Sequence, residues 1–120
     1  MKKIGFLINP IAGMGGRVGL KGTDGVADQA RALGAKPVAA DRAAETLTEL
    51  KSVLDRLDKP LEFRWLTCGG HMGADALHDA SFGNLDIASV PNGTTGARDT
   101  TVAAQAFVRS GVDLIVFCGG

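Results

Sequence analysis

The residue types that could do chemistry are concentrated in one glycine-rich segment near the start of the chain, residues 9–25 (NPIAGMGGRVGLKGTDG). Its glycines expose backbone N–H groups, and Arg17 and Lys21 add two positive charges. Thr23 and Asp24 add polar side chains. Amide dipoles and cations together offset the charge of phosphate oxygens. The segment therefore predicts a phosphate-binding loop, and the alternative is a surface loop built from ordinary turn residues.

This first loop fits neither standard nucleotide-binding motif. A dinucleotide fingerprint needs glycine at its first, third and sixth positions, but counting from Gly13 places Val18 at the sixth. The Walker A motif needs Gly-Lys followed directly by Ser or Thr, whereas Gly22 stands between Lys21 and Thr23. A phosphate loop here would have to be of another kind.

Two further segments could contribute to the same site. Polar side chains are grouped within residues 91–100 (PNGTTGARDT), at Asn92, Thr94, Thr95, Asp99 and Thr100. One threonine hydroxyl is expected to cap the helix that follows, and the others could bind ribose or phosphate. Gly119 and Gly120 follow an apolar run, where glycine lets a ligand approach the backbone closely.

A metal site and a disulfide are the less favoured interpretations of the remaining reactive residues. His71, Asp75 and His78 fall on one face of a predicted helix, but no third strong ligand accompanies the histidines. Cys68 and Cys118 lie far apart without a C-x-x-C pattern. We expect no bound metal and two small thiols in the core or at strand ends.

The remaining sequence supplies the elements that would position these loops. Apolar runs and alternation predict strands at residues 3–8, 61–66, 85–90 and 113–118. Helices are expected from Asp24 to about Leu33, from a cap at Asp41 to Pro60, over a short stretch after Gly69-Gly70, and from about Ala97 to Ser110.

The helices carry apolar stripes that should face a sheet. The second helix has a stripe at Leu47, Leu50, Leu54 and Leu57. The last helix has one at Val102, Ala103, Ala106 and Phe107. The final strand, DLIVFC, is expected to be the most buried.

Alternating strands and helices predict an α/β fold: three layers, with a mostly parallel sheet and helices on both faces. In such folds, ligands bind beyond the carboxyl ends of the strands. All four predicted strands are followed there by a segment of unusual composition, so we expect a polyphosphate or nucleotide site at this edge.

Length and charge narrow the classes of protein. The chain has 120 residues, which suits a single domain. It has 13 basic and 13 acidic residues and no run of like charge, so nucleic acid and membrane surfaces are not expected partners. The apolar run after Lys3 is too short for a signal peptide or a membrane span. A cytoplasmic protein is expected.

Five segments, in this order, resemble the amino-terminal domain of ATP- or polyphosphate-dependent NAD kinase-like proteins. They are NPIAGMGG after the first strand, GLKGTDG, LTCGGHMGADAL, TTGARDT and the closing DLIVFCGG. The resembling branch includes acetoin-catabolism protein X, and the superfamily also contains diacylglycerol and sphingosine kinases. In it, the last strand runs into Gly-Gly-Asp-Gly-Thr, whose first two positions match Gly119 and Gly120.

The resemblance implies a phosphoryl transfer from ATP or polyphosphate to NAD, with a divalent cation such as Mg²⁺ carried on the donor's phosphates. It also implies a tendency to form homo-oligomers. The positions that match its nucleotide-binding motifs are Asn9, Gly13, Gly15, Gly16, Lys21, Thr23, Asp24, Thr94, Thr95, Asp99, Thr100, Gly119 and Gly120.

The resemblance breaks off after Gly120. The family's next residue is an aspartate beside the acceptor hydroxyl, and a mostly-β carboxyl-terminal domain closes its cleft. Neither is present in residues 1–120, so we expect a fragment with no catalytic residue of its own, no turnover and no tightly bound cofactor.

Two other functions fit the same residues. The acceptor could be a lipid or another small alcohol, because superfamily members with different acceptors share the Asn-Pro and Gly-Gly motifs. Alternatively, the chain could be a regulatory module that binds a nucleotide without turning it over. Binding and product assays would separate these possibilities.

Overall fold

Four short apolar segments form the strands of one sheet. The computed structural model of the chain describes residues 1–9, 38–90 and 97–119. The described strands are β1 (Lys2–Ile8), β2 (Phe63–Cys68), β3 (Leu85–Ser89) and β4 (Leu114–Cys118). The described helices are α1 (Ala39–Asp55), α2 (Ala74–Asp79) and α3 (Ala97–Arg109), with a 3₁₀ turn over Gly70–Met72. All four predicted strands are confirmed, and the predicted helix at 24–33 lies outside the described residues.

The sheet has the order β3-β2-β1-β4, and every pair of neighbouring strands is parallel. In the register of the central strand, Ile4 lies opposite Trp65 of β2 and Leu114 of β4. Parallel strands place their carboxyl ends at one edge of the sheet. The predicted α/β fold is therefore confirmed for the described residues.

Alternate residues of β1 belong to two separate hydrophobic clusters, because successive side chains of a strand point to opposite faces. Phe6 and Ile8 cluster with Ala43 and Leu47 of α1. The adjacent cluster contains Leu7 and residues of α3, namely Ala103 and Phe107. Helices α1 and α3 therefore pack against opposite faces of the described sheet.

Helix α1 differs from its prediction at both ends. The residue before it is Val38, which makes no side-chain capping hydrogen bond, and Asp41 lies inside the first turn. The predicted cap at Asp41 is wrong, although a carboxylate in the first turn still interacts favourably with the helix dipole. The helix ends at Asp55, before Pro60. After it, Leu57 N–H donates to the carbonyl of Leu54, three residues back, instead of continuing the α-helical pattern of four. Leu57, expected in the apolar stripe, is consequently exposed.

The apolar stripe of α3 is narrower than expected. Ala103 and Phe107 are fully buried, but Val102 is exposed. Adjacent helical residues are turned about 100° apart, so burial of Ala103 directs Val102 away from the sheet. The prediction that Val102 is buried is wrong.

The sequence predicted that β4 would be the most buried strand, and this prediction is wrong. The strand lies at one edge of the described sheet, and Leu114, Ile115 and Phe117 are exposed. An edge strand has a neighbour on one side only, so its apolar side chains receive less cover than those of β1. Apolar content therefore predicted the strand but not its place in the sheet.

A buried hydrogen bond ties β2 to β1 near the carboxyl edge. Thr67 is fully buried, and its hydroxyl donates to the carbonyl oxygen of Phe6 over 2.7 Å. Thr67→Val keeps the shape but leaves that carbonyl lone pair unsatisfied, so we expect a loss of about 1–3 kcal/mol in the free energy of unfolding. Urea denaturation would measure it. The exposed Thr48→Val in α1 is the matched control and should change stability by less than about 0.5 kcal/mol. Equal effects would contradict this role for the hydroxyl.

Candidate functional site

The order of the strands reverses between β1 and β4. From β1 the chain adds β2 and β3 on one side, and β4 then returns to the other side of β1. In open α/β sheets, the crevice beyond the carboxyl ends of the strands at such a reversal is where ligands bind. The residues at this point are Asn9, directly after β1, and Gly119, directly after β4.

Asn9 and Gly119 are in close contact. The backbone N–H of Asn9 donates to the carbonyl oxygen of Cys118 over 2.8 Å, which extends the pairing with β4 one residue beyond the end of β1. A Cβ at position 119 would lie 2.9 Å from the Cβ of Asn9 and 3.0 Å from Cζ of Phe117. The φ angle of Gly119 is +156°, which L side chains rarely adopt. Only glycine fits here, and its backbone is left exposed at the edge of the sheet.

The neighbouring strand ends meet in the same way. The backbone N–H of Gly69, after β2, donates to the carbonyl oxygen of Ser89 over 2.9 Å. The Cys68 thiol and the Ser89 hydroxyl are 3.1 Å apart and share a hydrogen bond. The charge of Asp99, in the first turn of α3, acts on the same thiol. The ends of β2 and β3 are therefore joined at this edge by one backbone hydrogen bond and one side-chain hydrogen bond.

Burial favours the neutral form of both thiols at this edge. Burial raises the pKa of Cys68, the hydrogen bond with Ser89 opposes that rise, and the charge of Asp99 adds to it. Burial also raises the pKa of Cys118. Both cysteines are free, as expected. The pKa of Cys68 is higher in the folded protein than in the unfolded protein, so the neutral thiol favours the folded state. This contribution to the free energy of unfolding is fully present below the unfolded pKa and is lost as pH rises through the folded pKa.

We expect Cys68 to react with iodoacetamide at least about tenfold more slowly than Cys118 in the native protein at pH 8, because Cys68 is fully buried and Cys118 is partly exposed. Mass spectrometry of tryptic peptides would measure the two rates. In urea both thiols should react at the same rate, which serves as the control. Equal rates in the native protein would show that Cys68 is accessible.

The structure describes four of the predicted site residues. Asn9 and Gly119 are brought into contact at the strand reversal, while Asp99 and Thr100 lie in the first turn of α3. The other predicted positions lie outside the described residues: Gly13, Gly15, Gly16, Lys21, Thr23, Asp24, Thr94, Thr95 and Gly120. Cys68 was expected only as a small thiol in the core or at a strand end, and Ser89 was not singled out. Their positions at strand ends were the sequence signal that could have placed them together.

The residues considered for a metal do not converge in the described part of the chain. Nδ1 of His71 lies 3.6 Å from Oδ2 of Asp75, and both side chains are mostly in solvent. Within residues 1–9, 38–90 and 97–119, no three His, Cys, Asp or Glu side chains are placed to hold a metal ion. Among the helices described, none is long and apolar enough to cross a membrane.

Comparison of the chain with models of protein families, with curated proteins and with solved structures found no match. Any statement about function therefore depends on the residues and the geometry of the sheet edge.

Proposed function

We propose that this chain is the nucleotide-binding domain of an NAD kinase-like phosphotransferase, which transfers a phosphoryl group from ATP or polyphosphate to NAD. The observation that supports the proposal best is the contact of Asn9 with Gly119 at the strand reversal. The resemblance places its Asn-Pro and Gly-Gly motifs at these two positions. Two motifs 110 residues apart in the chain thus meet where α/β folds bind ligands.

The finer fold belongs to the same proposal. An NAD kinase-like amino-terminal domain would have three layers, with the parallel sheet between two layers of helices. The packing of α1 and α3 on opposite faces of the described sheet is consistent with that arrangement.

The chain's own groups would act by binding and positioning. Gly119 leaves backbone free of any side chain at the sheet edge, so a phosphate could approach main-chain N–H groups closely. Asn9 is buried at the same point and would fix the edge of the site. Phosphoryl transfer depends mostly on such positioning and on electrostatic stabilisation. A divalent cation would arrive on the donor's phosphates, since no described cluster of side chains would hold one.

Isothermal titration calorimetry of the 120-residue chain with Mg-ATP, NAD and NADP tests this proposal. We expect binding of at least one nucleotide, with a Kd of about 10 µM to 1 mM, since a half-cleft encloses only part of its ligand. We expect no phosphorylation of NAD by this polypeptide, because the motif aspartate is not among its 120 residues.

The outcomes separate the possible functions. Absence of binding to all three nucleotides would overturn the proposal. Formation of NADP would show that residues 1–120 contain a catalytic group that the resemblance does not identify. Phosphorylation of a lipid or another alcohol, but not of NAD, by a longer polypeptide containing this domain would favour a different acceptor.

A further inference from the structure

A small pocket lies at the amino ends of the strands, at the edge of the sheet opposite the candidate nucleotide site. It has a volume of about 240 Å³ and lies between the last turns of α1 and the segments that lead into β2 and β3. Both connections that frame it, residues 56–62 and 80–84, belong to the described part of the chain. Pockets for drug-sized ligands measure about 300–1,000 Å³, so this pocket suits a smaller molecule.

The inner wall of the pocket is aromatic. Phe63, Trp65 and Phe82 line it, and both Trp65 and Phe82 are buried. The rings of Phe63 and Phe82 meet the Trp65 ring at 76° and 68°, with centroids 5.1 and 5.2 Å apart. The face of an aromatic ring carries partial negative charge, which attracts cations. The wall therefore favours a ligand that is both apolar and positively charged.

The pocket already contains one positive charge in such a position. Nζ of Lys51 lies 5.3 Å from the centroid of the Phe82 ring, within the range of a cation–π interaction. The same nitrogen lies 3.9 Å from Oδ1 of Asp55, which also lines the pocket. A ring face and a carboxylate thus stabilise an ammonium group here, and a ligand of the same chemistry could use the same kind of contacts.

The remaining charge of the pocket is negative. Glu62 lines it as well, and within residues 1–9, 38–90 and 97–119 no basic side chain forms an ion pair with this carboxylate. One lysine and two carboxylates line the pocket, so its net charge is −1. A primary ammonium has three N–H donors that need acceptors, whereas aromatic rings supply none of the usual strength. An ammonium group that carries alkyl substituents in place of hydrogens fits such a wall better.

We propose that this pocket binds a small alkylated ammonium ion, held by the aromatic wall and by the carboxylate of Glu62. Aromatic rings recognise such ions in other proteins through the same electrostatic attraction. Lys51 competes with the ligand for the Phe82 ring and for Asp55, so it lowers the affinity. The site lies at the opposite edge of the sheet from the candidate nucleotide site, and its test does not depend on nucleotide binding.

Fluorescence titration with choline chloride tests the proposal, because Trp65 is the only tryptophan of the chain and lines the pocket. We expect a saturable change in emission with a Kd of about 0.1–10 mM, since so small a ligand gains limited binding free energy. The uncharged analogue, in which a tert-butyl group replaces the trimethylammonium group, should bind at least about tenfold more weakly. Titration with sodium chloride controls for ionic strength.

Two pairs of variants separate the pocket from the general charge of the protein. Lys51→Met removes the competing ammonium and should raise the affinity for choline at least about threefold. Lys59→Met removes the same charge outside the pocket lining and should leave the affinity unchanged. Glu62→Gln should lower the affinity at least about threefold. Its matched control is Glu45→Gln, at an exposed position of α1 outside the lining, which should have no effect.

Saturation-transfer NMR on the methyl protons of choline measures binding without relying on the emission of Trp65. Absence of binding by both methods would overturn the proposal, as would equal affinities for choline and its uncharged analogue. Equal effects of Lys51→Met and Lys59→Met would show that choline does not occupy the pocket. An unchanged affinity in Glu62→Gln would exclude the role of that carboxylate.

Discussion

Gly119→Val should lower the affinity of the chain for Mg-ATP at least about a hundredfold, which corresponds to about 2.7 kcal/mol of binding free energy. The new Cβ would lie 2.9 Å from the Cβ of Asn9, closer than real Cβ atoms approach. Either Asn9 or the end of β4 must move, so the two strand ends would no longer meet. The branched side chain would also cover the backbone that a phosphate is proposed to approach.

Isothermal titration calorimetry of the native and variant chains would measure the change. Gly83→Val is the matched control, because a Cβ at Gly83 would have no neighbour within 4 Å and the residue precedes β3, away from the strand reversal. Its ATP affinity should equal that of the native chain. If the native chain binds ATP and Gly119→Val binds it equally well, the site lies elsewhere. If the native chain binds no nucleotide, the proposed function itself fails.

The positions of the strands could be predicted, but their order could not. β1 and β4 are apolar runs bounded by polar or turn residues, and that pattern is enough to identify a strand. The order of the strands depends on the face of the sheet that each connecting segment crosses. Nothing in the DLIVFC segment indicates that face. Its apolar content predicted the most buried strand, yet β4 lies at an edge of the described sheet and three of its residues are exposed. Apolar content shows that a strand has surface to bury and does not show what buries it.

The candidate site could be predicted in part. Asn9 and Gly119 follow strands, and the carboxyl ends of parallel strands lie at one edge, so the fold class places both residues at that edge. Their contact depends in addition on the pairing of β4 with β1, which the sequence did not indicate. The contact of Cys68 with Ser89 did not follow. Thr67 pairs with Ile87, but the register then shifts and Cys68 pairs with Ser89. A regular register would have placed Ala88 opposite Cys68, and nothing in the local sequence indicates the shift.

Phe107→Ala should reduce the free energy of unfolding by about 3–5 kcal/mol, a large share of the total for a domain of this size. Phe107 is fully buried in the cluster that joins α3 to Leu7 and Cys68. Its removal leaves a cavity against β1 that the surrounding backbone cannot close. The adjacent Val108 is 70% exposed, so Val108→Ala is the matched control and should cost less than about 0.5 kcal/mol. Urea denaturation followed by circular dichroism would measure both.

The role of Phe107 can be isolated further by pairing it with Gly5. A Cβ at Gly5 would lie 2.7 Å from Cδ2 of Phe107. The ring can therefore pack against β1 at this position because Gly5 has no side chain. Gly5→Ala alone should therefore destabilise the native chain by about 1–3 kcal/mol through overpacking. In the Phe107→Ala background the same methyl group enters the cavity, and its cost should fall to zero or become a gain. The double-mutant cycle should then give a coupling energy of about 1–3 kcal/mol. Additive effects of the two substitutions would mean that α3 does not pack against β1 through this contact.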